Sequence, residues 1–168
     1  MDVVKAVAEL DEATDLHAAR LLILLHAFTE RQEDDVMQGL TKLAKLDFLL
    51  RYPVMLQRAL EAKKRSTRDV RLGDHERTCV ESEMVRYRFG PWDHRYRRFL
   101  NLLVAKGLAS VSVEGRTVVI SLTHAGHVKA RELKEADSFE PYARRSDVLK
   151  RHFDLTGSYL MKFIYDTF

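Results

Sequence analysis

Between Trp92 and Leu133 the spacing of apolar side chains switches from helical to alternating and back to helical. Tyr96, Phe99, Leu100 and Leu103 recur at i, i+3, i+4 and i+7, which paints one face of a helix. Gly107 follows where a left-handed residue would end that helix. Val111 and Val113 then alternate with serines, and Val118, Ile120 and Leu122 form the apolar face of a returning strand. The turn between the strands contains Glu114-Gly115-Arg116. Thr123 is a good N-cap for a second helix, which carries Val128, Ala130 and Leu133.

A helix, a two-stranded hairpin and a second helix in this order predict a winged helix. The expected class is therefore mainly α with a small β-hairpin wing (α+β), a winged helix-turn-helix with helical N- and C-terminal extensions. Such modules bind DNA or other proteins far more often than they catalyse. The recognition helix of a winged helix precedes the wing, and here it starts near Trp92. Arg86, Arg88, Arg95, Arg97 and Arg98 crowd its entrance, and His94, Arg95 and Arg98 lie largely away from its apolar face. A guanidinium can pair with two phosphate oxygens or with a guanine edge. Arg116 at the wing tip could reach an adjacent groove. These seven residues are the candidate DNA contacts. The competing reading is that the arginines pair with Asp93, Glu83 and other local acids, or face a protein.

Upstream, Asp11 to Thr14 supply capping side chains for a helix running from Asp15 to Glu30. Its centre, Leu21-Leu22-Ile23-Leu24-Leu25, is apolar on every side and must be buried on more than one face. A chain of 168 residues has limited core to offer, so Leu21, Leu22 and Leu25 are candidates for an interface with another subunit. The polar run Glu30–Asp35 ends this helix and caps the next, which carries Leu40, Leu43, Leu46, Phe48, Leu49 and Leu50. Tyr52, preceding Pro53, is pushed away from helical angles, and Pro53 suits the first turn of a third helix with Val54, Leu56, Ala59 and Leu60 inside.

Four parts result: an N-terminal helical part (1–64), a polar basic loop (65–80), a winged-helix core (81–136) and a C-terminal helical extension (137–168). The polar stretch begins at residue 63, is too poor in apolar residues to pack, and carries Lys63, Lys64, Arg65, Arg68 and Arg71 as a possible phosphate track. Val85, Tyr87 and Phe89 suggest a short strand closed by Gly90-Pro91. The last helices run from Tyr142 to Phe153 and from Gly157 onward; Tyr159, Phe163, Tyr165 and Phe168 on the latter are further interface candidates.

Charge is unevenly divided. Residues 1–35 hold nine acidic and three basic side chains, whereas residues 36–168 hold 16 acidic and 25 basic. A basic body suits phosphate backbones, although it equally serves as a solvated surface. No apolar run is long enough for a membrane span, and Met1-Asp2-Val3-Val4-Lys5 lacks the pattern of a secretion signal. The single Cys79 excludes an internal disulfide and fits a reducing, cytoplasmic setting.

Few residues invite chemistry. His124 and His127 sit three apart without acidic or thiol ligands at a compelling spacing, and His75 with Cys79 lacks a second pair, so no metal and no cofactor are expected. His17 and His26 lie on the apolar first helix, where packing explains them. Asp47 interrupts an apolar helix and needs a cation, for which Lys42, Lys45 and Arg51 are the nearest in sequence. No phosphate loop, nucleophile elbow or His-Glu-x-x-His motif occurs, and no catalytic residue is assigned.

Three stretches in order resemble the middle component of bacterial three-component ABC-ATPase anti-phage systems, the group of the Lamassu accessory subunit. They are Lys42-Leu43-Ala44-Lys45-Leu46-Asp47-Phe48-Leu49-Leu50-Arg51-Tyr52-Pro53, Arg86-Tyr87-Arg88-Phe89-Gly90-Pro91-Trp92-Asp93 and Lys162-Phe163-Ile164-Tyr165-Asp166. The resemblance implies a non-catalytic winged-helix subunit that accompanies an SMC- or Rad50-like ATPase and an effector, often a nuclease. It also implies a homodimer as a candidate assembly, and the basic helix entrance keeps double-stranded DNA as a candidate contact. The alternative is a free-standing dimeric winged-helix transcriptional regulator, in which His94, Arg95 and Arg98 read a major groove.

Overall fold

Five consecutive residues, Leu21 to Leu25, need cover on every side, and the chain supplies it. The computed structural model describes residues 3–31, 35–77 and 92–168; among these the chain is mainly helical, with one small antiparallel sheet. Helix α1 (Val3–Thr29) is 27 residues long. It starts well before the capping site expected at Asp11–Thr14, because Ala6, Ala8, Glu9, Leu10, Glu12 and Ala13 are all strong helix formers. Helices α5 (Trp92–Ala105), α6 (His124–Glu135) and α7 (Glu140–Phe153) pack around it. Leu21, Leu22, Ile23, Leu24 and Leu25 are each no more than 1% exposed. Leu21, Leu22 and Leu25 are thus core residues of this one chain, which corrects their expected place at a subunit interface. A buried leucine contributes roughly 1.5–3 kcal/mol, so this segment anchors the fold.

The polar break after α1 does not lead straight into a helix. Met37–Gln38 forms a short strand, β1, that pairs with β3 (Thr117–Leu122), and β3 pairs in turn with β2 (Ala109–Glu114), all antiparallel in the order β1-β3-β2. The register aligns Met37, Ile120 and Val111 in one row. Met37 and Ile120 are buried, but Val111 and Val113 on the outer strand are 40% and 66% exposed, because the row runs off the edge of the core. Gly39 extends the pairing with an N–H donated to the Val118 carbonyl at 2.7 Å.

Helix α2 (Leu40–Arg51) and α3 (Pro53–Ala62) meet at Tyr52, whose φ of −117° and ψ of 81° are non-helical, with Pro53 at the first helical position. The final helix, α8 (Gly157–Thr167), packs on α2 and inserts Leu160 and Ile164 fully into the core. Thr156 caps it by accepting the Tyr159 N–H.

Residues 63–77 are pinned rather than loose, contrary to the expectation of an unpacked loop. Val70 is buried, and Asp74–Arg77 forms a single turn of helix, α4. Arg145 of α7, itself only 2% exposed, donates to the Val70 and Arg71 carbonyls at 2.9 and 3.0 Å and pairs with both oxygens of Glu76. Arg144 adds a bond to the Asp69 carbonyl at 2.9 Å. Glu76 also accepts the Gly73 N–H at 3.0 Å. Burial pushes the Glu76 carboxyl up, but the Arg145 and Gly73 hydrogen bonds together with the Arg145 charge outweigh it and hold the carboxyl below its ordinary range. The strand expected at 83–89 lies outside the described residues. No helix among the described residues is long and apolar enough to cross a membrane.

Candidate nucleic-acid interface

Helix α5 presents two chemically opposite faces. Tyr96, Phe99, Leu100 and Leu103 are buried, whereas Arg95, Arg97, Arg98 and Asn101 are exposed. The rotation of the helix is set by a buried polar anchor. Tyr96 Oη donates to Asp47 Oδ2 at 2.6 Å, and Asp47 is completely buried on α2. Arg20 of α1 closes the anchor from the other side, with Nε at 2.7 Å from Oδ1 and Nη2 at 3.0 Å from Oδ2. Burial opposes the Arg20 charge, but the Asp47 carboxylate more than offsets it and raises the Arg20 pKa. Burial, and then Asp47, push the Tyr96 phenol well above its ordinary range, so it remains a donor. The cation expected for Asp47 among Lys42, Lys45 and Arg51 therefore comes instead from α1, 27 residues away.

His17 extends this anchor toward the basic face. Its Nδ1 lies 2.7 Å from Arg20 Nη2, a guanidinium nitrogen that can only donate, so Nδ1 accepts and the ring is neutral. Burial, then the charges of Arg20, Arg51 and Arg95, lower the His17 pKa to about 4. The ring stacks on Phe99 with centroids 5.1 Å apart, and the Arg95 guanidinium sits 5.9 Å from the same Phe99 ring. Arg95 is thus placed against an aromatic surface, whereas Arg97 and Arg98 are exposed and, among the described residues, take part in no ion pair.

The hairpin follows α5 through a joint made of four residues. Gly107 takes φ +73° and donates to Val104, and Leu108 donates to Leu103, which closes the helix. Thr123 then ties the far end of the hairpin to the same point. Its Oγ1 donates to the Gly107 carbonyl at 2.7 Å and accepts the Gly126 N–H at 3.0 Å, while its N–H reaches the Leu108 carbonyl at 3.0 Å. Gly126 is required here, since a Cβ would lie 2.0 Å from that carbonyl oxygen. Gly115, at φ +64°, makes the turn between β2 and β3 and leaves Arg116 exposed at its tip.

Of the seven expected DNA contacts, Arg95, Arg97 and Arg98 share one helix and Arg116 occupies the hairpin turn. Arg86 and Arg88 lie outside the described residues, as does the side chain of His94. Lys64, Arg65, Arg68 and Arg71 are exposed on the pinned segment, whereas Lys63 turns inward among Phe153, Tyr159 and Phe163, 5.0, 5.6 and 5.7 Å from their centroids. The expected interface residues of α8 divide. Tyr159 and Tyr165 are 48% and 59% exposed, joined by Met161, while Phe163 and Phe168 pack against Phe153 and Phe48. His127 approaches His26 rather than His124, and no group of three or more metal-ligating side chains is assembled among the described residues. A cleft of about 230 Å³ lies beside the pinned segment, and its Glu76 and Arg145 pair with each other.

Comparison with known protein families, curated proteins and solved structures gives no match for this chain.

Proposed function

We propose that this chain is a non-catalytic, enlarged winged-helix module that contacts duplex DNA through α5 and the hairpin tip, as an accessory subunit of an SMC- or Rad50-like ATPase in an anti-phage complex. The carrying observation is the combination of element order with exposed arginines. One strand follows the first helix and pairs beside the hairpin, giving β1-β3-β2, and a basic helix immediately precedes the hairpin. In this reading α5 is the recognition helix, and α3, α4 and their connections enlarge the module between the second helix and α5. Exposed Arg97, Arg98 and Arg116 are oriented by elements that are themselves locked, so little ordering is needed on binding phosphate.

The ATPase and the immune role rest on the three sequence stretches that resemble Lamassu-type middle components. Of the expected interface residues, Tyr159 and Tyr165 stay exposed on α8, and with Met161 they offer apolar surface for such a subunit contact, now that Leu21, Leu22 and Leu25 are accounted for. Purification of the tagged chain with the ATPase encoded beside it tests that part; a chain that is recovered alone and binds one operator tightly is a regulator instead. For DNA, anisotropy titrations of a labelled duplex over a range of salt are decisive. Replacing Arg97, Arg98 and Arg116 with alanine should flatten the salt slope by about 0.9 per lost phosphate contact. An unchanged slope moves the contact elsewhere on the molecule.

A further inference from the structure

We propose that His26 and His127 form a one-proton latch between α1 and α6, held closed by a single hydrogen between their Nδ1 atoms and opened by acid. His26 lies near the end of α1 and is only 2% exposed. Its Nε2 is 2.8 Å from Glu30 Oε2, a carboxylate oxygen that can only accept, so Nε2 carries a hydrogen. Its Nδ1 is 2.8 Å from Nδ1 of His127, one turn into α6. A contact that short requires one donor and one lone pair. With Nε2 of His26 occupied, neutral His26 offers the lone pair at Nδ1 and His127 donates. Glu30 therefore fixes the tautomers of both rings.

The arrangement tolerates one added proton and not two. A proton on His127 Nε2 leaves its Nδ1–H donating and the bond intact. Once His127 is cationic, a second proton, on His26 Nδ1, sets two N–H groups against each other across the helix interface. The surroundings oppose that second proton. Lys134, Arg131 and His124 of α6 bring positive or protonatable groups, whereas Glu30, just past the end of α1, and Asp147 of α7 are acidic groups nearby. The strands β1 and β3 carry no titratable side chain, and Arg95 of α5 acts on His17 instead. Burial, then Lys134, His127 and Arg131, place the His26 pKa at about 4.

Opening has a defined consequence, whatever the hairpin touches. Helix α6 starts at the Thr123 joint, which ties both ends of the hairpin to the end of α5. The latch is a polar tie of α6 to α1, so opening it loosens the base of the hairpin while the Arg20–Asp47–Tyr96 anchor stays closed.

Imidazole nitrogen–proton correlation spectra of the intact ¹⁵N-labelled chain near neutral pH should show His26 as the Nε2–H tautomer and His127 with a hydrogen on Nδ1. Amide exchange of α6, corrected for its intrinsic pH dependence, should lose about tenfold or more of its protection between neutral pH and the His26 pKa, relative to α5. His127→Asn keeps a donor in place and can turn its amide oxygen toward a protonated His26, so protection of α6 in this variant should become insensitive to pH. Nε2–H tautomers on both rings at neutral pH would overturn the latch without any variant being needed. So would an α6 whose protection ignores pH in the natural chain, or a His127→Asn protein that keeps the natural pH response.

Discussion

Asp47 has no access to water, and its charge is tolerable only because Arg20 and Tyr96 occupy its oxygens. Replacing it with alanine leaves Arg20 buried and uncompensated, and urea denaturation should record a loss of about 3–5 kcal/mol. Tyr96→Phe removes one hydrogen bond to a charged group and should cost about 1.5–3 kcal/mol. The unequal pair of losses distinguishes a charge anchor from simple packing. Gly126 tests a different kind of constraint. Alanine there brings a methyl group against the Leu108 carbonyl, so the joint must open, and thermal denaturation should register at least about 2 kcal/mol of destabilisation. The same substitution at Gly107 or Gly115 meets no atom within 4 Å and strains only the backbone, because both take positive φ.

Elements dominated by local signals were readable from the chain, and those dominated by distant contacts were not. Tyr52-Pro53 announced the corner between α2 and α3, Gly107 the end of α5, and Thr123 the cap of α6, since each acts on its immediate neighbours. Strand β1 left no trace. Two residues cannot display an alternating pattern, and its pairing partner lies more than 80 positions downstream. The pinned segment was missed for a similar reason, because Arg145, which holds it, is 75 residues from Val70. At the candidate interface the arginines were visible as residue types, but the Arg20–Asp47–Tyr96 anchor that orients their helix was not. Arg145→Ala should free residues 68–77 while leaving α7 in place. Limited trypsin digestion should then cut after Arg71 and Arg77 well before it cuts elsewhere, whereas Arg145→Lys, keeping the charge but not the fork, should give an intermediate rate.

At the scale of the molecule, two histidines make stability depend on acidity. His17 and His26 both hold their pKa at about 4, against an ordinary value of 6.5, so the unfolded chain takes up protons that the folded chain refuses. The contribution is fully present above about pH 6.5 and is lost progressively as pH falls toward 4. Urea midpoints measured across that window should decline. His17→Phe, which keeps a ring beside Phe99, should make the decline shallower while leaving the latch between α1 and α6 in operation. The uneven charge of the chain adds long-range attraction between its acidic beginning and basic remainder, which added salt screens.

The central position of α1 also has a consequence for biosynthesis. Its leucine run leaves the ribosome well before the helices that enclose it; His26 and His127 are 101 residues apart. At roughly 5–20 residues per second, an interval of seconds separates the appearance of this apolar segment from that of its cover. The nascent chain must therefore be shielded by a chaperone or by transient packing of α1 on α2. A translation stall before α6 would strand an adhesive helix rather than release a smaller working unit.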